Sequence, residues 1–170
     1  ERKAAFQLLL KPASPLIVAA ERAINFKTIE YSPSWNYDGG FQFKKHYYQM
    51  KPGELHEKTP NGRPTEEFCC AQFIDDLTAV EFWIRNLARR ETSFRLQTST
   101  DWFYPDFICK LSDGRVLAVE YKGADRYDGA DSEEKRAVGK AWETRSGGRC
   151  LFMMPTAGDF PVITRAIREN

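Results

Sequence analysis

Asp106, Glu120 and Lys122 carry chemistry that the residues around them do not explain. Asp106 follows Pro105, and Glu120-Tyr121-Lys122 closes the apolar run Val116-Leu117-Ala118-Val119. A run that apolar belongs in a core, yet it delivers a carboxylate and an ammonium two residues apart. Side chains alternate faces along a strand, so Glu120 and Lys122 point the same way. If Asp106 joins them, two carboxylates lie side by side, which is unfavourable unless a cation sits between them. A divalent metal does this best, and hard oxygen donors with few geometric demands suit Mg²⁺. The plain counterpart is a carboxylate–lysine pair at the edge of a sheet. The preceding proline, the hairpin register and the burial of the strand weigh against it.

Whether Asp106 reaches Glu120 depends on one turn. A two-residue turn at Asp113-Gly114 would pair Asp106 with Tyr121 and send Glu120 to the opposite face. A three-residue loop, Ser112-Asp113-Gly114, pairs Leu111 with Arg115 and Asp106 with Glu120. That loop is a type I turn followed by a left-handed residue, and Gly114 occupies the left-handed place. The apolar pattern agrees. In this register Phe107, Cys109, Leu111, Leu117, Val119 and Tyr121 share one face, while Asp106, Ile108, Lys110, Val116, Ala118, Glu120 and Lys122 share the other.

Further elements must frame this hairpin. Cys70, Phe73, Ile74, Leu77, Val80, Ile84 and Leu87 recur at helical spacing, with Pro64 and Thr65 at the start and Arg85, Arg89 and Arg90 at the end. A run from Ser93 to Gln97 follows, then a loop from Thr98 to Pro105. Asp131 or Ser132 caps a second helix that carries Ala137, Val138, Ala141 and Trp142 on one face and stops at Gly147-Gly148. Cys150 to Met154 is a buried strand, and Asp159-Phe160-Pro161 opens a last short helix. From Pro64 the expected order is α-β-β-β-α-β-α on a small mixed sheet. Residues 1–62 read as a β-rich connector, with a hairpin turn at Asp38-Gly39-Gly40; residues 63–170 read as the principal domain. Trp83 and Trp142 read as core, and so do Trp102, Phe103 and Tyr104 beside Pro105.

The bulk numbers bound the partners. The chain has 170 residues, 42% apolar and 29% charged, with a net charge of +1. That is globular composition without a large basic field, so any polyanion must be met by local clusters of Lys and Arg. No apolar run approaches a membrane span, and no signal-peptide pattern opens the chain. The first residue is Glu1 rather than Met, which fits a piece of a longer protein. Cys69, Cys70, Cys109 and Cys150 form no C-x-x-C pair, and His46 and His56 lie far from them. They read as core thiols of a reducing cytoplasm, not as zinc ligands.

Pro105-Asp106 followed by Glu120-Tyr121-Lys122 resembles the PD-(D/E)xK signature of restriction-endonuclease-like nucleases. The blocks "TEEFCCAQFIDDLTAVEFWIRNLARR", "FYPDFICKLSDGRVLAVEYKG" and "DSEEKRAVGKAWETRSGGRCLFMM" are similar to the C-terminal nuclease region of the restriction subunit of type III restriction enzymes. The resemblance spans about residues 63–155. It implies a restriction-endonuclease-like α-β-β-β-α-β core and Mg²⁺-dependent hydrolysis of double-stranded DNA. Asp106, Glu120 and the backbone carbonyl of Tyr121 would hold the ion, and Lys122 would orient water and offset phosphate charge. Glu67, fitted by the pattern E-x-x-(apolar)-A-x-x-(apolar)-D through Asp75, would add an acidic residue. Ser132, Lys135 and Lys140 match positions near the substrate. The implied setting is a bacterial or archaeal cytoplasm, with a methyltransferase subunit and an ATP-driven helicase motor as partners. The chain itself contains no G-x-x-x-x-G-K-[ST] loop for ATP. A repair or RNA nuclease of the same fold, or a silent DNA- or partner-binding module, would share these features.

Overall fold

The computed structural model describes residues 2–11, 26, 37, 39–48, 54–156 and 158–169. The chain is a mixed α/β protein in which helices flank a small mixed sheet. Its strands are β1 (Val80–Arg85), β4 (Phe107–Leu111), β5 (Val116–Val119) and β6 (Cys150–Met153), adjacent in that order. β1 and β5 run antiparallel to β4, and β6 runs parallel to β5. A separate two-stranded ribbon pairs β2 (Leu96–Gln97) with β3 (Trp102–Phe103). The helices are α1 (Arg2–Leu9), α2 (Glu66–Asp76), α3 (Ala130–Arg145) and α4 (Pro161–Glu169).

Both faces of the sheet are covered. Trp83, Phe107, Cys109, Leu117, Val119 and Leu151 pack against Cys70 and Ile74 of α2 and Ile163 and Ile167 of α4. On the other face Ile84, Ile108, Ala118 and Phe152 meet Trp142 of α3 together with Phe94 and Phe103. α3 comes unusually close to β6: a Cβ built at Gly139 would lie 2.2 Å from the Phe152 ring. Only a residue without a side chain fits there.

The hairpin has the register its sequence requires. Phe107 pairs with Val119 and Lys110 with Val116, so Asp106 lies opposite Glu120 one step beyond the ladder. The turn is closed by the Leu111 and Gly114 amides, which donate to Arg115 O (2.9 Å) and Leu111 O (3.0 Å). Gly114 has φ 93°, the left-handed conformation this loop demands.

Three expectations are corrected. The long helix stops at Asp76, where Leu77 turns extended (φ −66°, ψ 121°), and Val80–Arg85 is a strand. Val80, Trp83 and Ile84 imitate helical spacing only because the sheet is buried on both sides. Trp83 faces one cluster and Ile84 the other, so the strand loses polar alternation. Its β-branched and aromatic residues favour the pleat. The first strand of the main sheet is therefore Val80–Arg85, and the Ser93–Gln97 run supplies only the short β2. Second, α3 is capped by Gly129, without a side-chain bond from Asp131 or Ser132. Third, of the lead-in expected to be β-rich, Arg2–Leu9 is helical and residues 39–48 form no strand, while the expected runs over 27–31 and 35–36 lie outside the described residues. Asp38 of the expected hairpin lies outside the described residues.

What holds residues 39–48 is a buried carboxylate. Asp75, 1% exposed at the end of α2, accepts from the Lys44 amide (2.8 Å), the Lys45 amide (2.9 Å) and Trp83 Nε1 (2.8 Å). Tyr37, Phe41, Phe43 and Leu55 pack into the same cluster as α2 and β1, so this part of the lead-in shares the sheet's core. The cysteines are all free, and Cys70, Cys109 and Cys150 are buried.

Candidate active site

The ends of β1, β4 and β5 converge, and α2 and α3 bring charges to them from opposite faces. Asp106, immediately before β4, is held from several sides. Asp106 Oδ2 accepts from the Tyr121 amide (2.8 Å), and its carbonyl accepts from the Asn86 amide (2.8 Å). Asn86, buried just past β1, also donates from its side chain to Pro105 O (2.8 Å) and Phe94 O (2.9 Å). The proline's carbonyl is thus fixed immediately before the carboxylate.

Arg85, the last residue of β1, pairs across the ladder with Phe107 and so reaches both sides of the site. Its Nη1 lies 3.0 Å from Asp106 Oδ1 and 2.8 Å from Asp106 O, and its Nη2 lies 2.5 Å from Glu67 Oε1. Glu67 therefore joins the cluster through Arg85, whereas Glu66 turns away to accept from the Tyr121 hydroxyl. Burial raises the Glu67 pKa to about 7, with Arg85 opposing the shift and Asp106 adding to it.

Glu120 is 5% exposed. Lys122 Nζ lies 3.0 Å from its Oε1, and Lys135 Nζ of α3 lies 3.9 Å from the same oxygen. Lys135 is also held by Asp131 (2.8 Å) and sits 5.5 Å over the Phe103 ring. Burial first, and the Asp106 charge second, raise the Glu120 pKa to about 8, although both lysines oppose the shift. The backbone of this segment is fixed by β6, since the Glu120 and Lys122 amides donate to Met153 O and Pro155 O.

Asp106, Glu120, Lys122, Tyr121, Lys135 and, through Arg85, Glu67 are thus brought together. Two residues expected at the substrate are not. Ser132 is buried and its hydroxyl donates to Arg126 O (2.7 Å), fixing the loop before α3. Lys140 is exposed, pairs with Glu143, and lines a separate cavity of about 630 Å³ with Tyr127, Arg136 and Phe152. Of the aromatic trio, Phe103 is core, but Trp102 is 44% exposed beneath the Arg95 guanidinium. Arg89 and Arg90 lie on the surface beyond β1, where Arg90 pairs with Glu54.

Arg85 and Asn86 were the residues missed as contributors to this site, because a helix boundary set in place of β1 hid them. The signal available was the run Val80-Glu81-Phe82-Trp83-Ile84, whose residue types suit a strand ending next to Asp106.

The donor set fits a hard divalent cation. Among the described residues no group of three or more His, Cys, Asp or Glu side chains forms a metal cage. Mg²⁺ does not require one: it keeps several waters and is commonly held by one or two carboxylates together with substrate phosphate. Asp106 and Glu120, with the Tyr121 carbonyl directly after Glu120 in sequence, can supply that set. Burial is the main cause of the raised Glu120 pKa, and the Asp106 charge that adds to it is what such an ion would relieve. No family model, curated protein or solved structure matches this chain.

Proposed function

We propose that the chain is the Mg²⁺-dependent nuclease part of a type III-like restriction endonuclease, hydrolysing phosphodiester bonds of double-stranded DNA. The observation that carries this reading is the placement of Asp106 opposite Glu120, with Lys122 Nζ 3.0 Å from Glu120. The order α2-β1-β4-β5-α3-β6 supports it, being the α-β-β-β-α-β order of a restriction-endonuclease-like core. A helicase motor and a methyltransferase subunit are the partners this reading implies.

Asp106 and Glu120, with the Tyr121 carbonyl, would hold the ion. When bound, Mg²⁺ polarises a phosphate oxygen and lowers the pKa of water. Lys122, buried along its stem beside Glu120, orients the attacking water and offsets the charge that grows on the phosphoryl oxygens. Water oxygen bonds to phosphorus and gives up a proton as the bond to the departing sugar oxygen breaks, and that oxygen takes up a proton in turn, so none is gained or lost overall. Lys135 adds a second ammonium on the α3 side for the same phosphate. Glu67 acts through Arg85, which steadies Asp106.

A silent binding module is favoured by one feature: Glu67, Asp106 and Glu120 each already have a cationic partner. Cleavage decides between the two. With Mg²⁺, Asp106→Asn, Glu120→Gln and Lys122→Gln should each lower plasmid cutting by at least about 100-fold, in line with losing a preorganised charge from a catalytic site. DNA binding should survive all three changes. Lys122→Gln should keep its metal affinity. Equal cutting by folded wild-type and variant proteins would defeat the assignment, and preferential cutting of RNA would move the substrate class.

A further inference from the structure

Asp106 belongs to two carboxylate pairs, one with Glu67 and one with Glu120. Phosphodiester-cleaving sites with several carboxylates can hold two ions about 3.5–4 Å apart, one for each reacting oxygen. Here the two pairs are not equivalent.

We propose that Arg85 is a built-in cation in the place of a second metal ion, so that the site takes one divalent ion, between Asp106 and Glu120. This rests on the nuclease reading above. The guanidinium spans Glu67 and Asp106 with three contacts, 2.5 Å to Glu67 Oε1, 3.0 Å to Asp106 Oδ1 and 2.8 Å to Asp106 O. Its side chain is only 12% exposed and lies 5.2 Å from the Phe107 ring centre. It is anchored at the end of β1, an edge strand that pairs with β4. A guanidinium cannot lose its proton in a protein, so no change of pH clears it from the pair. Displacing it would break all three contacts and leave a buried charge without those partners.

The Asp106–Glu120 pair differs in kind. Its cations are the ammonium ends of Lys122 and Lys135, point charges on flexible four-carbon stems. They can swing to meet phosphate while the carboxylates turn to an ion. Asp106 Oδ2 accepts from the Tyr121 amide (2.8 Å), while Oδ1 faces Arg85 (3.0 Å). Arg85 therefore acts as a positioning residue. It fixes the Asp106 carboxylate and neutralises the pair that a second ion would otherwise fill.

Calorimetric titration of the 170-residue chain with Mn²⁺ tests this without reference to cleavage. Wild type should bind one ion. Glu67→Gln should also bind one, because Glu67 is spent on Arg85. Arg85→Met should bind two, the second between Glu67 and Asp106. Two ions on wild type, or loss of the ion in Glu67→Gln, would overturn the proposal while leaving a metal-dependent nuclease in place. A folded Arg85→Met protein that binds one ion would also overturn it. No ion on wild type would remove the nuclease reading and this inference together. Should Arg85→Met fail to fold, the wild-type and Glu67→Gln stoichiometries still decide.

Discussion

Burying a carboxylate beside another carboxylate favours its neutral form, and Glu120 is in that position. Its pKa rises from the ordinary 4.5 to about 8. The folded state therefore holds a proton that the unfolded chain releases at lower pH. Stability from this group is complete below about pH 4.5 and is lost as pH climbs through 8. Glu120→Gln removes a charge that the metal-free fold must otherwise carry. At pH 8 without metal it should raise stability by on the order of 2–4 kcal/mol. At about 2–4 °C per kcal/mol for a chain of this size, the melting temperature moves visibly. At pH 4.5 the gain should vanish. A variant that melts lower than wild type at pH 8 would mean that the Lys122 and Lys135 pairs outweigh the burial cost. The same substitution thus separates lost cutting from lost folding.

At the scale of elements, the approach of α3 to β6 sets where Lys135 stands. Gly139 lies on the α3 face against Phe152, with no room for a Cβ. Gly139→Ala gains helix propensity of about 1 kcal/mol but forces the helix off the strand. Overpacking of this kind costs about 1–3 kcal/mol, so a net loss of stability is expected. Lys135 should shift away from Glu120 as α3 retreats, and cutting should fall along with the melting temperature. An alanine variant as stable as wild type would show that Phe152 can rotate aside. The hairpin makes the complementary point: Gly114 with φ 93° sets the register, and the register alone puts Asp106 opposite Glu120.

At the scale of the molecule, residues 39–48 are stitched to the sheet through His46, Asp75 and Trp83. The Tyr47 amide donates to Trp83 O (2.9 Å) and the Trp83 amide to Lys45 O (3.0 Å). His46 is 2% exposed with its ring 4.9 Å from that of Trp83. Burial lowers its pKa from 6.5 to about 4, with Asp75 partly opposing the shift. The unfolded chain takes up a proton near pH 6.5 that the fold accepts only near 4. His46 therefore costs stability as pH falls from 6.5 to 4, by on the order of 3 kcal/mol. Urea unfolding at pH 7 and pH 4.5 should show a smaller acid loss for His46→Gln than for wild type. Identical pH slopes would exclude His46 as the acid-sensitive stitch. No helix among the described residues is long and apolar enough to cross a membrane.

The sequence by itself determined the hairpin and its consequence. Loop length, the glycine's place in it and strict two-residue alternation act over neighbouring residues, so Asp106, Glu120 and Lys122 could be aligned without knowing what surrounds them. The start of α2 was equally local, since Thr65 caps it through the Phe68 amide. Tertiary structure decided the rest. Whether Val80-Glu81-Phe82-Trp83-Ile84 is helix or strand turns on both sheet faces being covered, and burial on two sides erases the alternation that would mark a strand. With β1 unrecognised, Arg85 could not be placed between Glu67 and Asp106, two acidic residues that are far from each other along the chain. Ser132 and Lys140 share a helix with Lys135, yet only Lys135 meets Glu120. Which side of a helix faces a buried charge depends on how closely that helix can approach the sheet, and here Gly139 and Phe152 set that distance.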